Sequence, residues 1–161
     1  ATCAGYTEDA TLLWSIDIEP LKGRPCEFCR ESPHYKWNLV LSKDEILDKL
    51  NDAGYFLSSI TGIAILGKDK SGRITKIKIS SGDKDIELSA KDFRHIIGPN
   101  IIRSTKFDLS LEHNDVVFHG LGWGHGAGLC QWGAYFMAKE GRTYQQILEY
   151  YYPGSKISKT E

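Results

Sequence analysis

Four cysteines and one glycine-rich stretch hold the residue types in this 161-residue chain that could do chemistry. Cys26 and Cys29 form a CxxC pair, while Cys3 and Cys130 stand far from it along the chain. Four thiolates at tetrahedral range make a closed structural zinc site, and His34, shortly after Cys29, is a substitute ligand. The same thiols can instead pair as two disulfides. A CxxC disulfide is strained and labile, so spacing alone leaves zinc and disulfides both open. A thioredoxin-type role needs the motif to open a helix in a βαβ setting. The surroundings of Cys26 are instead loop-like, with prolines and Gly23 close by.

The second feature is HGLGWGHGAGLCQWGAYFMAKEG, His119–Gly141. A phosphate loop needs a lysine and a hydroxyl residue after its glycines, and neither is present. A dinucleotide fingerprint requires a strand–helix–strand unit with an acidic residue about 20 positions on, also missing. No nucleotide is therefore expected. Repeated glycines read as backbone that takes positive φ or passes close to another chain segment. A bend alone does not require Trp123, His125, Gln131 and Trp132 so near together. Flat aromatic surface with amide and imidazole hydrogen-bonding groups suits sugar rings. Among the acids, Glu8 and Glu31 lie beside the interesting loops, and either needs burial to serve as a general acid.

Length and composition set the frame for these candidates. The chain is the size of one ordinary domain, residues 1–161. Twenty basic residues against twenty-one acidic ones give a net charge of −1, which speaks against a nucleic-acid partner. No apolar run reaches the roughly 18–20 residues of a transmembrane segment.

The elements that must position the candidates read as α+β, with a mostly antiparallel sheet, short helices and long ordered loops. Residues 15–37 lack any period and are expected as a long loop pinned by the CxxC. NLVL (38–41) is a short strand, and Ser42 with Glu45 forms a capping box for a helix over 43–53. ITGIAILG and RITKIKIS form a hairpin around KDKSG, and DIEL extends the sheet. Ser89 caps a short helix. FDLSLEH alternates Phe107, Leu109 and Leu111 on one face, and DVVFHG follows it as a strand. A helix is expected over 129–140 and another after Thr143, with a further helix start at Thr7-Glu8-Asp9.

Several segments together resemble one family. GWGHGAGLCQWGAYFMAKEGRTYQQILEYYYPG is similar to the C-terminal signature of the stage II sporulation protein D / LytB amidase-enhancer family. ATCAGYTED resembles its STCGG-x-TE segment, and CRESPHYKW its C-x-x-SP-x-Y-x-W segment. The resemblance spans nearly the whole chain. Ala4 replaces the usual glycine, and Cys130 stands where many relatives carry serine.

That resemblance implies an exported protein of the bacterial cell envelope that acts on peptidoglycan. In the sporulation branch it implies a lytic transglycosylase, which leaves a 1,6-anhydro-muramyl end. One glutamic acid acts first as acid and then as base, with a pKa raised by a partly buried site. The family places that glutamate in a helix N-terminal to the STCGG-like segment. No catalytic residue is thus expected within these residues, which correspond to the C-terminal portion of a larger catalytic domain. Carried over by position, the expected substrate-binding set is Tyr35, Trp37, Trp123, His125, Gln131 and Trp132. A zinc ion is associated with the sporulation branch, and Cys3 matches a ligand position. The alternative role is a non-catalytic module that enhances an N-acetylmuramoyl-L-alanine amidase.

Overall fold

The computed structural model describes residues 1–158. Along the chain run α1 (Ala10–Trp14), β1 (Lys36–Ser42), α2 (Lys43–Asp52), β2 (Gly62–Lys68), β3 (Ile74–Ser80), β4 (Asp85–Ser89), α3 (Ala90–Ile97), β5 (Phe107–Glu112), β6 (Asp115–Leu121), α4 (Gln131–Lys139) and α5 (Tyr144–Tyr151). The class is α+β with antiparallel sheets, as expected. The chain divides into two compact units, one of Ala1–Tyr35 with the residues from Gly122 onward, the other Lys36–Leu121.

The Lys36–Leu121 unit holds both sheets, in strand orders β1-β6-β5 and β2-β3-β4. Ile77 and Ile79, two residues apart on β3, are fully buried on one face of their strand. Lys76 and Lys78 meet Glu87 and Asp85 across the β3–β4 pairing at 3.0 and 2.6 Å. Such exposed pairs add little to stability; the period-2 apolar face does the work. α2 starts where Ser42 and Glu45 cap each other reciprocally, and Ser89 caps α3. Ile46, Leu50, Phe93 and Ile97 from these helices join Ile77, Ile79, Val116 and Phe118 in one core. Phe107 and Phe118 meet edge to face there, 5.5 Å apart. Along β5 burial falls from Phe107 at 2% exposed to Leu111 at 39%.

The other unit has no sheet among its described residues and is held by short helices and backbone bridges. Within the expected start Thr7-Glu8-Asp9, Asp9 caps α1 through Thr11 N, and the helix stops after one turn at Ser15 with φ +57°. Residues 15–35 run as the expected ordered loop, with a single 3₁₀ turn over Glu19–Leu21. The loop is two residues shorter than expected, since β1 already begins at Lys36. α5 opens on a capping box of Thr143 and Gln146. Among the described residues, no helix is long and apolar enough to cross a membrane.

Candidate functional site

The glycine-rich bend is built by its alternating glycines. Gly122, Gly124, Gly126 and Gly128 have φ of +79°, +109°, +88° and +72°, a region that side chains with a Cβ avoid. The bend is stitched to the start of the chain. Thr2 and Trp123 exchange two backbone hydrogen bonds at 3.0 Å, and Glu8 N donates to Gly126 O at 3.0 Å. At Gly122 any Cβ would strike the Thr2 carbonyl, so this crossing admits only glycine. Gly122 N also donates to Tyr35 O at 2.8 Å, bringing in the end of the loop.

These crossings gather the four cysteines. Cys3, Cys26, Cys29 and Cys130 are buried, none of them in a disulfide, with every sulfur within 4.8 Å of the others. A tetrahedral zinc with Zn–S near 2.3 Å sets its sulfurs about 3.8 Å apart. Cys3 and Cys29, at 3.6 Å, already match that spacing. Polar groups around the cluster support negative sulfur. Cys130 caps α4, accepting from Gly133 N at 3.4 Å and from Cys3 N at 3.3 Å. The Tyr151 hydroxyl lies 3.1 Å from Cys26 Sγ. Such outer contacts orient ligands and tune a metal. The donor set therefore fits a soft, thiolate-binding ion of zinc type.

The four thiols cannot ionise independently at this range. Hydrogen bonds from Cys130 and its neighbours pull the Cys29 thiol below its ordinary range, while contact with Cys130 and Cys29 pushes Cys3 and Cys26 up. Each thiolate thus raises the cost of the next, and a bound cation relieves that repulsion. Burial, then hydrogen bonding to Cys26, pushes the Tyr151 phenol upward, so it remains a donor toward sulfur.

His34 is not in the sulfur cluster. Its ring meets Trp123 edge-on at 4.8 Å and Trp132 at 6.0 Å, which makes it part of an aromatic group instead. Its backbone N donates to Ser32 Oγ, itself 3.0 Å from Thr2 Oγ1. His125 is exposed on the bend, its Nδ1 accepting from Ala127 N at 3.1 Å and its ring 5.1 Å from Trp14. That bond leaves Nε2 to carry the proton of the neutral ring. Gln131 Oε1 accepts from Ala1 N. A cavity of about 170 Å³ is lined by His125 and Gln131 together with Cys3 and Cys130.

Tyr35 is half-buried against the cysteine cluster, and burial, then Cys29, raises its phenol pKa. Trp37, expected with the substrate-binding residues, is a core residue of the Lys36–Leu121 unit. It is 5% exposed, packs 6.1 Å from Phe107 and lies over Gly120, its register partner on β6. The missing side chain at Gly120 is what makes room for the indole.

Three residues of this region escaped the sequence reading, Tyr151, Gly133 and Tyr135. Tyr151 and Gly133 go together, since any Cβ on Gly133 would overlap the Tyr151 hydroxyl and reach 3.1 Å from Cys26 Sγ. Tyr135 follows Gln131 by one helical turn, a spacing that was available as a signal. Glu8 meets the burial condition set for a general acid, at 2% exposure, whereas Glu31 is exposed. Its Oε1 accepts from Asp9 N at 2.8 Å, so it stands where α1 begins and the glycine bend crosses.

Comparison with known proteins fits this arrangement. A family described as Domain of unknown function (DUF8618) matches residues 26–128, and the chain belongs to it. Stage II sporulation protein D of Bacillus subtilis is 31% identical over 161 residues, covering 100% of this chain and 44% of that protein. The chain belongs to the stage II sporulation protein D / LytB amidase-enhancer family. An uncharacterized protein of Brachyspira hyodysenteriae is 33% identical over 98% of the chain and 41% of its own length. The amidase enhancer of Bacillus subtilis is 24% identical over 96% of the chain and 28% of its own length. The chain thus spans less than half the length of each of these relatives.

Proposed function

We propose that this chain is the sugar-facing and scaffolding portion of a peptidoglycan-cleaving lytic transglycosylase of the bacterial envelope, exported to act outside the cytoplasm. The observation that carries this reading is the aromatic group in which His34 meets Trp123 of the glycine bend and Trp132 of α4, with Gln131 next to Trp132 at the helix start. The group offers flat apolar faces with hydrogen-bonding edges, the chemistry a glycan strand requires. The names of the sporulation and amidase-enhancer relatives agree with a role in the cell wall.

In the proposed reaction a carboxylic acid protonates the oxygen linking N-acetylmuramic acid to N-acetylglucosamine, and the C1–O bond breaks. The resulting carboxylate takes the proton of the muramyl 6-hydroxyl as that oxygen bonds to C1. One group serves both steps because each restores its other protonation state. We assign it to a glutamate N-terminal to Ala1 in the complete protein. Tyr35, Trp123, His125, Gln131 and Trp132 are assigned to holding the strand. Cys3, Cys26, Cys29 and Cys130 would hold a zinc ion, which would supply a structural fastening rather than a catalytic centre.

The test is incubation of the complete protein with peptide-free glycan strands. 1,6-Anhydro-muramyl ends support the reading, and reducing ends formed by water overturn it. The 24% identical amidase enhancer favours a second reading, a non-catalytic module that stimulates a cell-wall amidase. In that case no anhydro ends form, and stem-peptide release by an added amidase rises.

A further inference from the structure

His119 belongs to β6 and takes no part in the cysteine-tied bend that follows it. Asn38, His119 and Asp108 are register partners, so they form one row across the sheet β1-β6-β5. All three are exposed, on the face opposite Trp37 and Phe107, their buried neighbours along the strands. A cavity of about 220 Å³ opens beside this row, lined by Lys68, Lys106, Asp108 and His119, with Phe107 and Leu121 as its apolar wall. It lies wholly within the Lys36–Leu121 unit.

The polar groups of this cavity are set in place by their neighbours. Gly72, also in the lining, has φ +79°, and a Cβ there would come within 3.3 Å of Lys106 Cε. The bare glycine is what leaves Lys106 its place over the turn. Asp69 pins that turn, its Oδ1 accepting from Ser71 N at 2.8 Å and from Ser71 Oγ at 2.6 Å. Lys68 Nζ donates to Asp108 Oδ1 at 2.7 Å, and an ammonium has two further donors to offer. His119 Nδ1 lies 2.8 Å from Asn38 Oδ1. With that oxygen as the acceptor, the ring proton sits on Nδ1 and Nε2 is left as an acceptor.

Three features narrow the guest. Two ammoniums against one carboxylate favour an anion. None of the described lining residues is an arginine, the planar partner of a carboxylate, whereas lysine meets phosphate as a point charge. The imidazole acceptor calls for a hydroxyl donor on the same guest, and the apolar wall for the carbon that joins the two. We propose that this cavity binds a hydroxylated phosphate ester, the phosphate of a small polyol. Lys68 and Lys106 hold the phosphate, and His119 Nε2 accepts from the hydroxyl. The site uses none of the residues assigned to holding the glycan and does not rest on that reading.

The experiment titrates the complete protein by calorimetry with glycerol 3-phosphate and with methyl phosphate, for wild type, Lys68→Gln, Lys106→Gln and His119→Ala. At about pH 8 both esters are dianions, and only the first carries a hydroxyl. Circular dichroism confirms that each variant is folded. Each lysine variant is expected to bind glycerol 3-phosphate about tenfold more weakly, from the loss of a charge-assisted hydrogen bond. His119→Ala is expected to weaken glycerol 3-phosphate about fivefold and to leave methyl phosphate within about twofold. No binding of glycerol 3-phosphate by wild type overturns the site, as does unchanged affinity in either lysine variant. Methyl phosphate bound as tightly as glycerol 3-phosphate overturns the hydroxyl contact and with it the polyol guest. A glycerol-phosphate diester oligomer, titrated alongside, separates the two sources of this chemistry. Tighter binding than the free ester marks a unit of a polymer as the guest, and weaker binding marks the free ester.

Discussion

The amide of Cys3 donates to Cys130 Sγ across 3.3 Å, joining two residues 127 positions apart in the chain. The same sulfur accepts from Gly133 N at the start of α4. One atom therefore ties the beginning of the chain to the helix that carries Gln131, Trp132 and Tyr135. Disturbing the cluster should loosen the residues proposed to hold the glycan even though none of them is a sulfur ligand.

Metal content is the first measurement. One zinc per chain is expected by elemental analysis, with four thiols reactive only after denaturation and chelation. Structural zinc binds zinc-finger peptides with an apparent roughly 10–16 kcal/mol, so chelation should lower the thermal midpoint strongly. Tyr151→Phe keeps all four ligands but removes the hydroxyl beside Cys26, and should weaken metal affinity about tenfold. Oxidised thiols without metal would point to the two-disulfide chemistry.

Gly133→Ala separates helix propensity from packing. In an exposed helix this change stabilises by about 1 kcal/mol. Here the new methyl meets the Tyr151 hydroxyl and Cys26 Sγ. A net loss of about 1–3 kcal/mol is expected in denaturant unfolding, from overpacking. Combining it with Tyr151→Phe removes the worst overlap, so the double variant should lose less than the sum of the two single losses.

Trp37 should behave as a core residue. Trp37→Ala is expected to destabilise by about 3–5 kcal/mol, whereas Trp37→Phe should cost less, because the indole Nε1 it removes is buried without a hydrogen-bond partner. Gly120→Ala should be comparably harmful, since its methyl would enter the indole. The proposed formation of anhydro ends by the complete protein should not change for Trp37→Phe.

Asp83 supplies a pH-dependent contribution. Its carboxylate accepts from Ser81 Oγ at 2.6 Å and Ser58 Oγ at 2.7 Å, and these bonds hold its pKa well below the usual carboxylate range. A depressed folded pKa contributes stability that is present above the unfolded value, about 3.9, and is lost as pH falls toward the folded value. Asp83→Asn should therefore be less stable than wild type at neutral pH, with the gap closing in acid.

The sequence by itself determined the features that neighbours along the chain can satisfy. Ser42 and Glu45 cap α2 across three residues, and Thr143 and Gln146 cap α5 in the same way. The isoleucines of β3 and the antiparallel α+β class were likewise legible, because strand and helix periods are local. So were the identity of the four cysteines and the need of the bend for positive φ. Only the tertiary structure decided how the distant pieces meet. Whether four thiols stand together or pair off depends on crossings such as Thr2 with Trp123, which no local pattern encodes. Trp37 and Trp123 are the same residue type in two separate motifs, yet one is core because Gly120 faces it across a strand pair, and the other packs against His34. Hydrogen bonds within a turn need only a few residues in order, whereas burial depends on what the rest of the chain brings to each side chain.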